Sequence, residues 1–450
     1  MSKLFGPDGI RGRANEYPIT PEIALRLGQA IASLFLRKGQ KKPRAVIGKD
    51  TRLSGYMLET ALTSGLVSMG MDVFEIGPMP TPAVAHLTRS MCADCGIMIT
   101  ASGSPSGNNG IKLCDGTGCR LSSDDEKQIE IDVLSSGKGP RMPGPLQIGK
   151  AFRIDDARGR YIEFAKSSIH NHSLRGIKAV LDCANGAAYY VAPLILKELG
   201  VEVIRTATSP DGYNINDKCG LGYPQNMVRL VREHKADIGI SLDGDADRVM
   251  FCGEDGTVIP GDRIIALCAL DYLSRGRLAH NAAALSDMCS LGLFQALEGA
   301  GIRTHVTLPG GTALTDCMRK EELNFGGEPS GRFIFGDYAT GGDGIISALH
   351  ILDIMKSRNG KLADLIADIM TDFPRNTGCF PVRESIPLES LSGLTRTLSE
   401  ANAALGGNGR VFVRYSTSEH HCRVLVETRS AEETEKWYKT VCDVLEKELA

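Results

Sequence analysis

Short apolar runs alternate with segments of helical spacing along most of the chain, and the alternation repeats. Residues 44–48 read as a strand. Residues 57–69 carry apolar side chains at helical intervals until Gly70 stops them, and residues 73–76 read as a second strand. The same succession returns as a strand at 178–182, a helix near 191–199 ended by Gly200, and a strand at 201–204. It returns again at 283–287, near 293–297, and, after Gly301, at 303–306. A strand–helix–strand unit used three times predicts an α/β architecture. Beyond residue 375 the rhythm changes. Residues 411–415 and 422–427 read as strands and 432–449 as a terminal helix, which predicts a small α+β domain. Boundaries are expected at the Gly/Pro-rich stretch 137–149, near Asp255-Gly256, and near Phe373-Pro374-Arg375. These divide the chain into 1–150, 151–255, 256–373 and 374–450.

Each repeat carries a later loop that follows an apolar run. The first is Thr100-Ala101-Ser102-Gly103-Ser104, after Ile97-Met98-Ile99. The second is Asp243-Gly244-Asp245-Ala246-Asp247-Arg248, between residues 238–242 and Val249-Met250-Phe251. The third is Phe325-Gly326-Gly327-Glu328-Pro329-Ser330-Gly331-Arg332. Open α/β sheets place ligand loops at their strand ends, so the three are expected to converge on one cleft. The second loop is chemically the most telling. Three carboxylates at alternate positions repel one another, and a divalent cation is the natural compensation. Hard oxygen ligands suit Mg²⁺ at Asp243, Asp245 and Asp247. Gly244 and Ala246 are expected to let the backbone turn, and Arg248 adds a planar phosphate-binding fork. An acidic surface turn would not need buried-type strands on both sides.

Composition narrows the class. The chain has 450 residues, 42% hydrophobic and 23% charged, which predicts a globular protein of about three or four domains. A formal net charge of -3 supplies no basic field for nucleic acid or an anionic membrane. No apolar run reaches membrane-spanning length, and the first residues lack the apolar core of a signal peptide, so a cytoplasmic location is expected. The 13 cysteines are odd in number and scattered, as expected of free thiols in a reducing compartment. Cys92, Cys95, Cys114 and Cys119 invite a zinc reading, but the second pair has the wrong spacing, and they are read as incidental.

Other candidates are single residues. Ser102, in a small polar loop after a strand, suits a nucleophile or a phosphoryl carrier, and no G-x-S-x-G elbow is present to suggest a hydrolase. Lys112 follows ten residues later and can return to the same site. Arg11 is read as lying in a glycine-flanked loop suited to phosphate. In the tail, Arg414, Ser416, Thr417, Ser418 and Arg423 surround a turn, which is either a phosphate cradle or an ordinary hydroxyl-rich hairpin.

Taken together, these residues resemble the α-D-phosphohexomutase superfamily, and within it the bacterial phosphoglucosamine mutases. The likeness runs over essentially the whole chain. Its specific stretches are Phe5-Gly6-Pro7-Asp8-Gly9-Ile10-Arg11-Gly12, Gly48-Lys49-Asp50-Thr51-Arg52, Asp182-Cys183-Ala184-Asn185-Gly186, Asn214-Ile215-Asn216, the acidic loop, and Gly341-Gly342-Asp343-Gly344-Ile345. The resemblance implies three repeated α/β domains with mixed sheets and a C-terminal α+β domain around a central cleft. It implies a phosphoserine at Ser102, which also reaches the metal, and Mg²⁺ on the three aspartates. Arg248, Arg11 and Lys112 would position the phosphoryl group, and Glu328 and Ser330 would hold sugar hydroxyls. Arg414, Ser416, Ser418 and Arg423 would hold the phosphate that is not reacting. It implies interconversion of glucosamine 6-phosphate and glucosamine 1-phosphate, with glucosamine 1,6-bisphosphate as activator, for UDP-N-acetylglucosamine synthesis. A homodimer is implied as well. Four loops depart from the family pattern. T-A-S-H-N-P is here Thr100-Ala101-Ser102-Gly103-Ser104-Pro105, and G-E-Q-S-G-H has Pro329 and Arg332. R-x-S-G-T-E-P has Thr417 in place of its glycine, and V-G-D-R is Pro309-Gly310-Gly311-Thr312. These departures leave open a mutase for glucose or mannose phosphates, a sugar phosphatase, or a weakly catalytic regulatory paralogue.

Overall fold

A computed structural model describes residues 4–135, 142–171, 173–382, 386–415 and 421–449. The chain forms two compact units. The first comprises Met1–Asp287 and Ile302–Ala367, the second Met288–Gly301 and Asp368–Ala450.

Three sheets lie in the first unit. In the first sheet, β1 (Ile10–Arg13), β2 (Arg44–Lys49), β3 (Asp72–Pro78), β4 (Cys95–Ile99), β5 (Asn108–Asp115) and β6 (Ala151–Arg153) are ordered β1-β5-β4-β2-β3-β6. In the second, β7 (Lys178–Asp182), β8 (Glu202–Thr206), β9 (Ile238–Leu242), β10 (Val249–Gly253) and β11 (Val258–Ile259) are ordered β11-β10-β9-β7-β8. In the third, β12 (Ala282–Ser286), β13 (Arg303–Thr307), β14 (Phe325–Glu328) and β15 (Arg332–Phe335) are ordered β13-β12-β14-β15.

The repeat is plain in the pairing. In each sheet a central strand (β2, β7, β12) lies between two parallel neighbours, one reached through a helix (β3, β8, β13) and one later in the chain (β4, β9, β14). The later neighbour then turns back into an antiparallel mate (β5, β10, β15). The three loops singled out in the sequence are these three hairpin turns. Strands β4, β9 and β12 are buried at every position, as central strands covered on both faces must be. Arg11 departs from expectation: it belongs to β1, where it pairs with Gly110 of β5, and is not in a loop.

The second unit holds the antiparallel sheet of β16 (Arg375–Pro381), β17 (Gly409–Tyr415) and β18 (His421–Thr428), ordered β16-β18-β17. Helices Ser392–Leu405 and Ala431–Leu449 cover it through Leu394, Ala401, Val441 and Leu445. The helix Leu291–Gly299, expected to serve the third sheet, belongs to this unit. Its Leu291 N–H donates to the buried Glu427 Oε1 at 3.1 Å, and Arg410 pairs with the other oxygen at 2.7 Å. All thirteen cysteines are free, and Cys92, Cys95, Cys114 and Cys119 form no metal-ligating group. No helix among the described residues is long and apolar enough to cross a membrane.

Asp343 caps the buried helix Gly344–Arg358, accepting from the Ile345 and Ile346 N–H groups at 3.0 and 2.9 Å and from the Tyr161 hydroxyl at 2.8 Å. Burial pushes its carboxyl up to about 6 from an ordinary 3.8, against those hydrogen bonds. The folded chain therefore holds a proton that the unfolded chain releases between these values. Stability from this group falls as pH rises from about 4 to 6, by about 3 kcal/mol in all. Burial pushes His86 and His350 down to about 4 and 3, which penalises folding in acid, so only a difference isolates Asp343. Asp343→Asn keeps the cap. The variant is expected to gain in thermal midpoint over the wild type at pH 7 and to lose most of that advantage at pH 4.5. An equal difference at both pH values would contradict the assignment.

Candidate active site

The first hairpin turn presents Ser102 under constraint. Its φ of 50° lies in the left-handed region, uncommon for a residue with a side chain, and it is 5% exposed. What holds it there is a buried arginine. Arg52, with no exposed surface, donates to Ser102 O at 2.9 Å, Ser104 O at 2.8 Å and Asn108 O at 3.1 Å, and also to Pro105 O. Asp50 orients the guanidinium at 2.8 Å and accepts from Thr100 Oγ1 at 2.7 Å, while Thr100 Oγ1 itself accepts from the Ser102 N–H at 2.9 Å. Asn216 Nδ2 adds bonds to Ser102 O and Ser104 O at 2.8 and 3.0 Å. Asp50, Arg52, Thr100 and Asn216 had no role in the sequence reading. Their only signal was membership of stretches that resemble the superfamily.

The second turn meets the first at close range. Ser102 Oγ donates to Asp243 Oδ2 at 2.8 Å, and Arg248 Nη2 donates to Ser102 Oγ at 3.3 Å. Gly244 matters here for approach rather than for turning: a Cβ on it would lie 2.5 Å from Ser102 O. The turn itself falls on Ala246, at φ 55°. Oxygens of Asp243, Asp245 and Asp247 lie within 4.8 Å of one another, and all three residues are buried. Asp245 Oδ1 and Asp247 Oδ1 are buried without a hydrogen-bond partner. Acceptor oxygens left idle in a dry site fit a hard divalent cation, and the triad could hold one.

Cations surround the triad. Lys112, in the middle of β5 opposite Met98, donates to Asp245 Oδ2 at 2.6 Å and Asp247 Oδ2 at 3.4 Å. Thr81 Oγ1 donates to Asp245 Oδ2 at 2.5 Å. Arg248 Nε donates to Asp243 Oδ2 at 2.9 Å, and Arg332 Nη2 to Asp247 Oδ2 at 3.0 Å. Burial opposes ionisation of Asp247, but Lys112, Arg332 and Arg248 hold its carboxyl well below the usual range. Burial and the Asp247 charge push Asp243 the other way, up to about 7, against the pull of Arg248. Burial alone would lower Lys112, yet Asp245 and Asp247 keep it raised and charged. Arg11 supplies a further cation, its Nε buried and without a partner. A buried donor of this kind suits an incoming anion.

The third turn brings an acid. Glu328 Oε1 accepts from the Gly310 N–H at 2.8 Å and Oε2 from Ser330 Oγ at 3.1 Å. A cavity of about 170 Å³ lies beside the triad, with Lys112, Asp247 and Arg332 in its wall. The first-unit candidates Ser102, Lys112, Arg11, Arg248, Asp243, Asp245, Asp247, Glu328 and Ser330 are therefore drawn around the three hairpin turns. In the second unit, Arg414 and Arg423 are directly opposed on β17 and β18. Ser416 and Ser418, with Thr417, lie outside the described residues.

Domain models of the phosphoglucomutase/phosphomannomutase family match the chain in succession: alpha/beta/alpha domain I over residues 2–138, domain II over 159–256, domain III over 260–373, and the C-terminal domain over 380–444. A phosphoglucosamine mutase of Syntrophotalea carbinolica is 44% identical over 448 residues, covering 99% of this chain and 98% of that protein. The chain belongs to the phosphohexomutase superfamily. One of Chlamydia trachomatis is also 44% identical, over 450 residues, covering 100% of this chain and 98% of that protein. Among solved phosphohexomutases, a phosphoglucomutase/phosphomannomutase family protein of Burkholderia thailandensis matches with a TM-score of 0.82 at 22% identity, over 99% of this chain and 97% of that one. The N-acetylphosphoglucosamine mutase of Aspergillus fumigatus, solved with GlcNAc-6P and magnesium, matches with a TM-score of 0.69 at 17% identity, over 99% of this chain and 96% of that one. At such identities the structural likeness speaks for the fold alone. One departure from the superfamily pattern has a visible consequence: a Cβ on Gly103 would sit 3.2 Å from Arg248 Nη2, so the missing side chain leaves that guanidinium its room.

Proposed function

We propose that the chain is a phosphoglucosamine mutase, interconverting glucosamine 6-phosphate and glucosamine 1-phosphate through a phosphoserine at Ser102. The observation that carries this reading is the 2.8 Å contact of Ser102 Oγ with Asp243, inside a buried acid triad and under Arg248. In this reading, segment 1–150 carries the phosphoryl group, 151–255 the ion, 256–373 the sugar contacts and 374–450 a second phosphate cradle. Mg²⁺ on Asp243, Asp245 and Asp247 would supply charge neutralisation at the phosphoryl oxygens.

The chain's own residues do the rest. Phosphoryl transfer is mostly a matter of positioning and charge, with little covalent work for the protein beyond the carrier. Arg52 fixes the turn from behind, so Ser102 Oγ stays aimed at the triad. The bond between phosphorus and Ser102 Oγ breaks as a bond to a sugar hydroxyl oxygen forms. The hydroxyl gives up its proton, and Ser102 Oγ recovers one. The product is a bisphosphate, and return of its other phosphate to Ser102 completes the exchange. Arg248, Arg11 and Lys112 hold the phosphoryl oxygens. Lys112, kept charged by two carboxylates, serves as a fixed cation and not as a base. Glu328 and Ser330 face the sugar hydroxyls. Arg414 and Arg423, opposed on β17 and β18, would supply two guanidinium groups to the distal phosphate.

The test is a coupled assay with glucosamine 6-phosphate, Mg²⁺ and a trace of glucosamine 1,6-bisphosphate, with glucose and mannose phosphates in parallel. Glucosamine 1-phosphate is expected to form with kcat/KM at least about tenfold above either competitor, the discrimination expected when site groups hydrogen-bond the distinguishing substituent. Equal or faster turnover of glucose or mannose phosphates would reassign the substrate, and no product from any of them would remove the mutase reading.

A further inference from the structure

The third hairpin turn contributes a cation as well as an acid. Arg332 opens β15 with its side chain 14% exposed; its Nη2 lies 3.0 Å from Asp247 Oδ2 and its Nη1 3.9 Å from Glu328 Oε2. The backbone is shaped around it. A Cβ on Gly311 would fall 2.7 Å from Arg332 Nη1 and 3.1 Å from Cζ, and one on Gly342 would fall 2.4 Å from Asp247 O and 2.8 Å from Arg332 Cγ. Two positions without side chains thus form the slot that lets this guanidinium lie against the triad. Both Arg332 and Gly311 are among the departures from the superfamily pattern.

Asp247 is the acid this arrangement engages. One of its oxygens is held by Arg332 and Lys112; the other is buried without a hydrogen-bond partner, 3.7 Å from Arg248 Nε. We propose that Arg332 is a resident counter-ion that competes with the divalent cation for Asp247 and so weakens the ion's binding to this chain. The proposal rests on the reading of the triad as an ion site. The physics is direct: a positive charge within hydrogen-bond distance of a ligand oxygen both occupies that ligand and repels the incoming ion, in a site where screening by water is weak.

The experiment measures ion binding to the metal-stripped full chain, by electron paramagnetic resonance with Mn²⁺ and by calorimetry with Mg²⁺. Two neutral variants, R332Q and R332M, are expected to bind about tenfold or more tightly than the wild type. R332K keeps the charge and is expected to stay within about threefold of the wild type. In a D247N background the gain from R332Q should vanish, which a merely structural role of Arg332 would not produce. Neutral variants that bind no more tightly than the wild type overturn the proposal alone. Absence of ion binding in the wild type and all variants overturns the triad reading and this proposal together.

Discussion

Ser102→Ala is expected to lower mutase turnover on the order of 10⁴-fold or more while leaving the chain folded, because it removes the atom proposed to carry the phosphoryl group. The structure supports both halves of this expectation. Arg52 and Asn216 grip Ser102 through its carbonyl, and Thr100 grips its N–H, so the turn does not depend on the hydroxyl. Alanine inherits the left-handed backbone that serine already occupies, so no new strain arises. The measurement is kcat for the wild type and variant, with thermal midpoints alongside. Intact mass after incubation with glucosamine 1,6-bisphosphate reads the carrier directly: the wild type gains one phosphoryl group and the variant gains none. A variant that keeps more than about a tenth of the activity would place the carrier elsewhere.

Asp245→Ala should abolish ion binding and activity together, each by at least about 100-fold. Asp245 is the middle acid of the triad. It offers one idle oxygen to an ion and uses the other to hold Lys112 and Thr81. Its loss removes a ligand and frees the ammonium, which then has Asp247 within reach. Asp245→Asn separates these effects, since the amide keeps an oxygen for Thr81 but carries no charge. Both variants are expected to fall together in Mn²⁺ affinity and turnover, and added Mg²⁺ at millimolar levels should restore the Asn variant in part. Full activity in Asp245→Ala would remove the ion from this loop.

The acidic loop was legible because its signal is local: three charges that cannot stand together without a partner, set between two runs that can only be buried. The three-fold repeat was legible for a similar reason, since strand and helix periods are written in neighbouring residues. What was lost is what depends on distant partners. Arg11 was read as a loop residue because glycines flank it. The absence of a side chain on Gly110 in fact brings two strands together, with a Cβ there 2.6 Å from Ile10 O. Arg52 gave no warning, because a fully buried arginine is rare and the carbonyls it holds lie 50 to 56 residues away. Arg332 was visible as a changed letter, but its meaning lies in Asp247, 85 residues earlier.

The separation of 141 positions between Ser102 and Asp243 also sets an order in time. At roughly 5–20 residues per second, the serine turn leaves the ribosome on the order of ten seconds before its acid partners exist. Asp50, Arg52 and Thr100 precede or border the turn and are present early, whereas Asn216 joins it only later. A nascent chain therefore presents the serine turn before Asn216, the acids and Arg248 exist to meet it, and the constellation is complete only when the second hairpin reaches the first.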